Sequence, residues 1–430
     1  MKARYKHPRG MPDILPGAIK SWHRIEAAVR ETMHAYGYEE IRTPLVEKTE
    51  LFKRGIGEAT DIVEKEMYSF DDRKGESLTL RPENTASCVR AAMEGGLLQP
   101  GSVHRLWYQG PMFRYERPQL GRQRQFQQTG AEVYGVAGPV IEAELILMTA
   151  EIWRKIGVFD AASLEINTLG SADDRQRYRD QLVAYFQDHA DQLDEDSQRR
   201  LTKNPLRILD TKNPDMAELV DKAPKLVESL SSESKTYFDQ LQSILATAGI
   251  KANVNPRLVR GLDYYSHTVF EWTTDRLGSQ SAICGGGRYD AMLEDFGAKN
   301  TPGVGWAMGM ERLVALTENL MNETGSIADD DGPDVFVICT AKEASAAPLV
   351  LSEQLRRDAP ELKVVQNTGS ANLNNQLKRA DKLSARCAVI LGEDELAAGT
   401  VTLKPLSTGS DPQTVPLSEA VQTLSSILGS

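Results

Sequence analysis

Apolar residues near the start of the chain recur at three- and four-residue steps. This spacing predicts an amphipathic helix from Ile19 to about Tyr36, and Gly37 is its expected end. A strand is predicted around Glu40–Pro44. The helical spacing returns farther along the chain, before Gly157, at Ile141, Leu145, Met148, Ile152 and Ile156. These patterns predict two helices that face a common core.

Residues 110–135 predict two strands joined by a loop. Side chains of the second strand alternate with a period of two, and one set comprises Phe126, Gln128, Gly130, Glu132 and Tyr134. One face of this strand therefore presents an amide and a carboxylate in register. The loop and its flanks oppose one acid, Glu116, with four arginines, Arg114, Arg117, Arg122 and Arg124. Such a patch suits phosphate, although arginines that only face solvent remain an alternative.

Residues 78–98 predict a short strand, a break at Pro82 and then a helix. The apolar positions of that helix are Cys88, Val89, Ala92 and Leu97. Glu83 and Thr85 lie at the junction between strand and helix. A carboxylate there can stabilise a helix N-terminus by ~0.3–1 kcal/mol, so a purely structural role is open.

Residues 171–250 are rich in Asp, Gln, Arg and Lys and predict a helical insertion without a catalytic cluster. Three conspicuous runs follow, and they are PRLVRGLDYYSHTVFEW, SAICGGGRYD and TPGVGWAMGMERLVALTENL. The glycines of the second run allow a close approach of the backbone to a ligand or to another strand. The third run predicts a strand leading directly into a helix with Glu311 and Arg312. Met308 occupies the place of the last glycine in a dinucleotide fingerprint, which excludes that reading.

The last part of the chain has a different pattern. Residues 326–332 have the polar and acidic composition of a linker. Within 333–430, apolar runs that predict strands alternate with helical patterns, so we expect a small α/β domain. A helix at Asn372–Leu383 carries basic residues that could simply face solvent.

Composition narrows the functional classes. The 430 residues allow two or three domains, with 26% charged and 40% hydrophobic residues. We expect a cytoplasmic protein without a membrane segment, because no apolar run approaches ~18 residues and the first residues lack a signal-peptide core. Four scattered cysteines argue against zinc or disulfides, and they are Cys88, Cys284, Cys339 and Cys387. The net charge of −11 does not exclude a nucleic-acid partner, because local patches govern such binding.

Six motifs in order over about 310 residues resemble those of one enzyme family. The run FRYERPQLGRQRQF is similar to motif 2 of the class II aminoacyl-tRNA synthetases, and specifically to the bacterial histidyl-tRNA synthetases. LVRGLDYY and GGGRYD resemble the two histidine-specific signatures, and the final strand-helix run resembles motif 3. The segment with Pro44 resembles motif 1, and LRPENTA resembles the amino-acid-binding loop, with Asn84 where bacterial members commonly have Gly.

The resemblance implies an α+β catalytic domain, 1–325, with an antiparallel sheet flanked by helices and the helical insertion at 171–250. It also implies that the C-terminal α/β domain at 333–430 binds the anticodon, since QLKRADKLSARCAVILG is similar to the bacterial form. Motif 1 implies a homodimer. By the same parallel, the insertion closes over the acceptor arm of tRNA.

The resemblance also implies roles for individual residues. Arg260 and Arg114 are expected to be catalytic. Histidine binding is expected from Glu83, Thr85, Arg114, Gln128, Glu132, Arg260, Tyr264 and Tyr265. ATP binding is expected from Arg114, Glu116, Phe126 and Arg312. The acceptor end of tRNA is expected at Gln119, Arg122 and Arg124.

The implied reaction is ligation of L-histidine to tRNA(His) through a histidyl-adenylate, with ATP and Mg²⁺ and with release of AMP and pyrophosphate. Arginine suits this chemistry because its planar fork holds phosphate and carboxylate oxygens and stays charged. Mg²⁺ is expected to bridge phosphates, without a cage made of protein ligands alone. The alternative is a catalytically silent paralogue that regulates histidine biosynthesis. Such paralogues typically lose the C-terminal domain and the arginines, which this chain retains.

Overall fold

The structure, a computed structural model, describes most of the chain. The described residues are 5–57, 60–119, 121–203, 205–209, 211, 213–260, 262, 264–278, 282–298, 300–324, 332–341, 346–368, 372–408 and 410–429. Apart from Gly332, the linker predicted at 326–332 lies outside them. The chain divides into two compact units, Met1–Ser326 and Ile327–Ser430.

The first unit is built on a large, mostly antiparallel sheet. Its strands, with those of a small neighbouring sheet, are β1 (Glu39–Glu40), β2 (Val46–Lys48), β3 (Tyr68–Asp71), β4 (Ser77–Leu80), β5 (His104–Phe113), β6 (Gln125–Tyr134), β7 (Ser163–Thr168), β8 (Ala252–Val254), β9 (Ser266–Thr273), β10 (Ala282–Arg288) and β11 (Gly303–Gly309). The large sheet has the order β1-β5-β6-β11-β10-β9-β7-β8, and the small sheet has the order β2-β4-β3. Only β1 with β5 and β7 with β8 pair in parallel within the described large sheet. The sequence-distant strands β6 and β11 are therefore direct neighbours.

Helices accompany the sheet, and several of them lie in the chain segment between β7 and β8. They are α1 (Ile19–Ala35), α2 (Thr49–Ile56), α3 (Thr85–Glu94), α4 (Pro139–Ile156), α5 (Ala172–Asp188), α6 (Glu195–Lys203), α7 (Ala217–Asp221), α8 (Leu226–Ser229), α9 (Ser232–Thr247), α10 (Asp290–Phe296) and α11 (Met310–Thr324). Five of them, α5 to α9, lie in the segment where the sequence predicts a helical insertion.

The apolar stripes of α1 and α4 form the centre of the core. Ile25, Val29 and Met33 of α1 are fully buried, as their spacing predicts. Gly37 and Gly157 follow the two helices with φ angles of +74° and +78°, in the left-handed region that favours glycine. The strand predicted at Glu40–Pro44 was wrong in length: β1 comprises only Glu39 and Glu40.

Helix α5 begins with a buried carboxylate that ties several backbone groups together. Ser171 and Asp174 form a capping box, in which the Ser171 N–H donates to Asp174 and the Asp174 N–H donates to Ser171 Oγ. Asp174 also accepts the Ser231 N–H at 2.9 Å and the Ser234 hydroxyl. The N-terminal ends of α5 and α9 are thereby joined.

The second unit is a five-stranded sheet with helices. Its elements are β12 (Val335–Cys339), α12 (Ala347–Asp358), β13 (Val364–Gln366), α13 (Leu373–Lys382), β14 (Cys387–Leu391), α14 (Glu393–Ala398), β15 (Thr400–Pro405), β16 (Gln413–Pro416) and α15 (Ala420–Leu428). The strand order is β13-β12-β14-β15-β16, with parallel pairing from β13 to β14 and antiparallel pairing beyond. The sequence predicts every element except α14 and β16, which are short and carry little apolar periodicity.

Among the described residues, no helix is long and apolar enough to cross a membrane. All four cysteines are free thiols, and three of them are buried.

Candidate active site

Strand β6 forms one wall of a cavity of about 640 Å³. Its alternation is the predicted one: Gln128 and Glu132 line the cavity, while Ala131 and Val133 are buried in the core on the other face. Gln128 Oε1 is buried without a hydrogen-bond partner among the described residues. A buried, unpaired acceptor that faces a cavity is a group with which a ligand can pair.

Glu132 lies at the deep end of this cavity and is fully buried. Its Oε1 accepts hydroxyl groups from Thr85 at 2.8 Å and Tyr108 at 3.2 Å, and its Oε2 accepts the Tyr289 hydroxyl. Burial raises the pKa of the Glu132 carboxyl to about 8. The carboxyl group is therefore positioned by three hydroxyls, and its burial favours the protonated form.

Tyr108 and Tyr289 were not among the candidates from the sequence. Tyr289 belongs to the GGGRYD run, so its position was conspicuous although its contact with Glu132 was not. The sequence gives little indication of a site role for Tyr108, because this residue lies in an apolar run of β5. It is paired with Gly130 of β6. A Cβ atom on Gly130 would lie 2.4 Å from the Tyr108 hydroxyl, so this glycine makes room for the phenol.

Glu83 has the structural role that its position left open. Its Oε2 accepts the backbone N–H of Thr85 at 2.6 Å, and its Oε1 accepts that of Ala86 at 3.0 Å, at the start of α3. The side chain is buried, which raises its pKa, and it also lines the cavity. The helix terminus therefore fixes the carboxylate in the wall of the cavity.

Three arginines come from distant parts of the chain to the same cavity, and they are Arg114, Arg260 and Arg312. Arg114 donates through Nε to the Pro82 carbonyl at 2.8 Å and lies 5.2 Å from the centre of the Phe126 ring. Arg312 donates to the carbonyls of Gly121 and Ala282. Burial and the neighbouring Arg122 lower the pKa of the Arg312 guanidinium.

Arg260 lies against the glycine run of β10. It forms an ion pair with Glu271 of β9, a residue that sequence reasoning missed. A Cβ atom on Gly285 would lie 2.4 Å from the guanidinium, so only glycine allows the side chain to rest on this strand. Arg260 Nε is buried without a partner among the described residues. The guanidinium is thus held on one side and keeps a donor for a ligand.

Tyr264 and Tyr265 pack together in the cavity wall, with ring centres 4.5 Å apart. The Tyr264 ring also meets Tyr289 edge-on at 5.6 Å. Both are buried, which places two phenols near the Glu132 end of the cavity. Asp263, between the conspicuous arginine and tyrosines of its run, lies outside the described residues.

Glu311, at the start of α11, is a further residue without a predicted role. It accepts a hydrogen bond from the backbone N–H of Gln127 at 2.8 Å, so it connects α11 to the N-terminal end of β6. Burial raises its pKa to about 7. Its neighbour Arg312 enters the cavity from the same turn of helix.

The cavity brings together most of the predicted site residues. Those that line it are Glu83, Thr85, Arg114, Glu116, Arg122, Phe126, Gln128, Glu132, Arg260, Tyr264, Tyr265 and Arg312. Glu116 and Arg122 form an ion pair at 3.2 Å.

Two of the predicted residues, Gln119 and Arg124, do not line the cavity. The Arg124 guanidinium instead lies 3.7 Å from the centre of the Tyr115 ring, while its Nε donates to the Glu116 carbonyl. Gln119 pairs through its backbone with Arg122 in the hairpin loop.

Comparison with known proteins identifies two domain families in this chain. A family model described as histidyl-tRNA synthetase matches residues 10–313, and one described as an anticodon binding domain matches residues 334–427. Apo histidyl-tRNA synthetase from S. aureus is 34% identical, with a TM-score of 0.80, and the match covers 98% of this chain and 99% of that chain.

Two more distant structures share the fold. Histidyl-tRNA synthetase from Nostoc sp. is 20% identical, with a TM-score of 0.67 and coverage of 99% of this chain and 100% of that chain. A protein from Bacillus halodurans described as an ATP phosphoribosyltransferase regulatory subunit/histidyl-tRNA synthetase is 21% identical, with a TM-score of 0.63 and coverage of 91% of this chain and 99% of that chain.

The predicted fold class is confirmed: a class II synthetase catalytic domain with a largely antiparallel sheet and helices is followed by an anticodon-binding domain with its own sheet. The family model spans well over half of the chain and includes every cavity-lining residue discussed above. The chain therefore belongs to the histidyl-tRNA synthetase family, whose members are class II aminoacyl-tRNA ligases.

Proposed function

We propose that this protein joins L-histidine to tRNA(His) in two steps, through a histidyl-adenylate made from ATP. The observation that carries the proposal is the arrangement of one cavity. Arg114, Arg260 and Arg312 supply cations within it, and Glu132 at its deep end is surrounded by hydroxyl groups. Adenylate formation brings a carboxylate to a phosphate, so it needs fixed cations more than it needs covalent catalysis.

The arginines have separable roles in the first step. Arg114 would hold the α-phosphate and the histidine carboxylate, and Arg260 would stabilise the α-phosphate from the opposite side. Arg312 would hold the γ-phosphate end. Phe126, already in contact with the Arg114 guanidinium, would stack on adenine, and Glu116 would accept a hydrogen bond from the adenine amino group.

The amino acid would lie between β6 and the tyrosine pair. Glu132 and Tyr265 would pair with the two imidazole nitrogens, and Tyr264 would line the pocket. Glu83, Thr85 and Gln128 would hold the ammonium and carboxylate groups. A site whose polar groups need an imidazole rejects analogues without one by ~10⁴-fold, because those groups are then left unpaired.

Mg²⁺ would enter with ATP and bridge its phosphates, since this ion favours phosphate oxygens and water over a protein cage. Among the described residues, no group of three or more His, Cys, Asp or Glu side chains could hold a metal ion. Two of the cavity carboxylates, Glu116 and Glu271, already form ion pairs with arginines.

In the second step, the terminal adenosine hydroxyl of tRNA would attack the adenylate carbonyl. Gln119, Arg122 and Arg124 would guide the acceptor end from the β5–β6 loop. We place the catalytic domain at 1–325 with the insertion at 171–250, and the anticodon-binding domain at 333–430. The two compact units support this division. Because tRNA charging serves protein synthesis, we propose a cytoplasmic location.

We further propose a homodimer that forms through the region after Pro44. Three large apolar side chains are exposed there, on β2, on β3 and just before β2: Leu45 at 42%, Val46 at 36% and Phe70 at 47%. β2 and β3 flank β4 in one small sheet, and exposed apolar side chains grouped on one sheet are typical of a surface that a partner covers.

Histidine-dependent ATP–pyrophosphate exchange tests the proposal. The wild-type protein is expected to exchange label only when L-histidine is present, and a folded preparation without exchange would support the silent-paralogue alternative. Arg260→Ala should fold normally but lose at least ~10²-fold in exchange rate, as expected for loss of one preorganised cation. A near-native rate for this variant would remove Arg260 from the chemistry.

A further inference from the structure

The segment between the tyrosine pair and β9 has an unusual backbone. His267 has a φ angle of +47°, in the left-handed region that residues other than glycine rarely adopt. The pairing of β9 with β10 shifts register here: Ser266 lies opposite Arg288, and Val269 lies opposite Gly287. Such a bulge bends a strand and redirects its side chains, and here it directly follows Tyr264 and Tyr265.

The side chains of this segment do not explain the strained conformation. Ser266 Oγ, His267 Nδ1 and Thr268 Oγ1 are all buried without a hydrogen-bond partner among the described residues. A strained segment persists only when the surrounding structure imposes it. Groups on neighbouring elements must therefore hold the left-handed conformation at His267.

Backbone bonds from the end of β7 hold one side of the bulge. The Leu169 N–H donates to the His267 carbonyl at 2.6 Å, and the His267 N–H donates to the Gly170 carbonyl at 2.9 Å. The next residues begin α5, the first helix of the insertion. The bulge is consequently attached to the point where the insertion leaves the sheet.

Two insertion side chains hold the rest of the segment. Arg175 of α5 donates through Nη1 to the backbone carbonyl of Tyr265 at 2.6 Å. The Tyr237 ring of α9 stacks on the His267 ring, with centres 5.2 Å apart. Because Asp174 joins the N-terminal ends of α5 and α9, both contacts come from one fixed pair of helices.

We propose that Arg175 is a positioning residue for the pocket that holds the imidazole of the substrate L-histidine. By its hydrogen bond to the Tyr265 carbonyl, Arg175 sets the position of Tyr265, the tyrosine assigned to the substrate imidazole. A hydrogen bond from a guanidinium is stronger than one between neutral groups, and its fork fixes direction as well as distance. The insertion helices thus take part in amino-acid selection. This inference rests on the proposed function of Tyr265.

The test compares Michaelis constants in pyrophosphate exchange for L-histidine and for ATP. Arg175→Met retains the aliphatic stem and removes the donor. We expect the KM for histidine to rise ~10-fold while that for ATP changes less than twofold, because Tyr265 is assigned to the imidazole and not to ATP. Arg175→Lys, which retains a cationic donor, should recover part of the loss. Arg179→Met is the matched control, since Arg179 is exposed one turn farther along α5.

A double-mutant cycle shows whether Arg175 acts through Tyr265. If it does, adding Arg175→Met to Tyr265→Phe should raise the KM for histidine much less than it does in the wild-type background. Additive effects, or equal changes in both Michaelis constants, would overturn the inference. Failure of the wild-type protein to exchange label at all would instead refute the proposed function, so the two failures are distinguishable.

Discussion

At the scale of single residues, the cavity is defined by polar groups placed where water cannot reach them. Burying Glu132 as an ionised carboxylate without partners would cost free energy. Three hydroxyl groups that donate hydrogen bonds to it reduce this cost, and its raised pKa favours the uncharged form. The glycine runs are the counterpart of these groups. Gly305 leaves room for the Glu132 side chain, and Gly285 leaves room for the Arg260 guanidinium. The glycines of these strands are therefore explained by side-chain packing and not by a dinucleotide-binding fold.

Ligand-free stability should fall as pH rises. Folding raises the pKa of Glu132 from 4.5 to about 8 and that of Glu311 from 4.5 to about 7. The native state thus binds more protons between pH 4.5 and these values. The stability that these two groups contribute is therefore fully present below pH 4.5, decreases as pH rises above it, and is lost once pH has risen through 7 for Glu311 and 8 for Glu132. We expect slopes of up to ~1.4 kcal/mol per pH unit for each group.

Urea unfolding at several pH values measures this dependence. Glu132→Gln should flatten the slope, whereas Glu294→Gln, at an exposed position on α10, should leave it unchanged. A stability that rises between pH 6 and pH 8 would contradict the assignment of these two buried carboxyls.

Gly305→Ala should damage the histidine pocket directly. A Cβ atom there would lie 1.8 Å from Glu132 Oε2 and 2.5 Å from the Ala131 carbonyl oxygen. We expect a loss of ~1–3 kcal/mol of folding free energy from overpacking, together with weaker histidine binding. Gly309→Ala on the same strand is the control, because a Cβ atom there has no neighbour within 4 Å. Calorimetric titration with histidine and thermal unfolding measure both effects, and equal behaviour of the two variants would refute this account.

At the scale of elements, periodicity predicted the long amphipathic helices and the strands with clear alternation. Helix α1, helix α4 and strand β6 agree with it because each has one face in the core. The pattern predicted β1 as a longer strand than its two residues, and it missed the helix α14 and the strand β16, since short elements depend on neighbours that are distant in sequence. The same limit applies to the site. Arg260 was conspicuous in its motif, but its partner Glu271 is known only from the pairing of β9 with β10.

Asp174→Ala should loosen α5 and α9 together. The carboxylate accepts hydrogen bonds from Ser171, Ser231 and Ser234, so its removal leaves buried donors unpaired. We expect a loss of ~2–4 kcal/mol, the sum of several such bonds. Asp173→Ala, at an exposed position in the same first turn, should cost far less.

Hydrogen exchange followed by mass spectrometry localises the effect. Faster exchange in both helices of the Asp174→Ala protein is expected. Protection that stays at the wild-type level in α9 would show that this carboxylate does not join them.

At the scale of the whole molecule, the two compact units carry different chemistry, and the proposed dimer concerns the first unit alone. Val46→Asp introduces a charge among the exposed apolar side chains beside Leu45 and Phe70. We expect the dimer to dissociate at least ~10-fold more readily, because burial of an unpaired carboxylate is costly. Analytical ultracentrifugation measures this change. Val227→Asp, at a similarly exposed position on α8, is the control, and a wild-type monomer at micromolar concentration would reject the dimer.

The pairing of β6 with β11 has a consequence for synthesis on the ribosome. These neighbours are separated by more than 160 residues, from Tyr134 to Gly303. The β5–β6 hairpin can form early from local contacts, but its inner edge stays unpaired until the chain has been made as far as Gly309. Closing so long a loop is slow, and an unpaired edge strand invites wrong partners. The nascent chain should therefore need protection, for example by a chaperone, during the interval in which its future active site is an open edge.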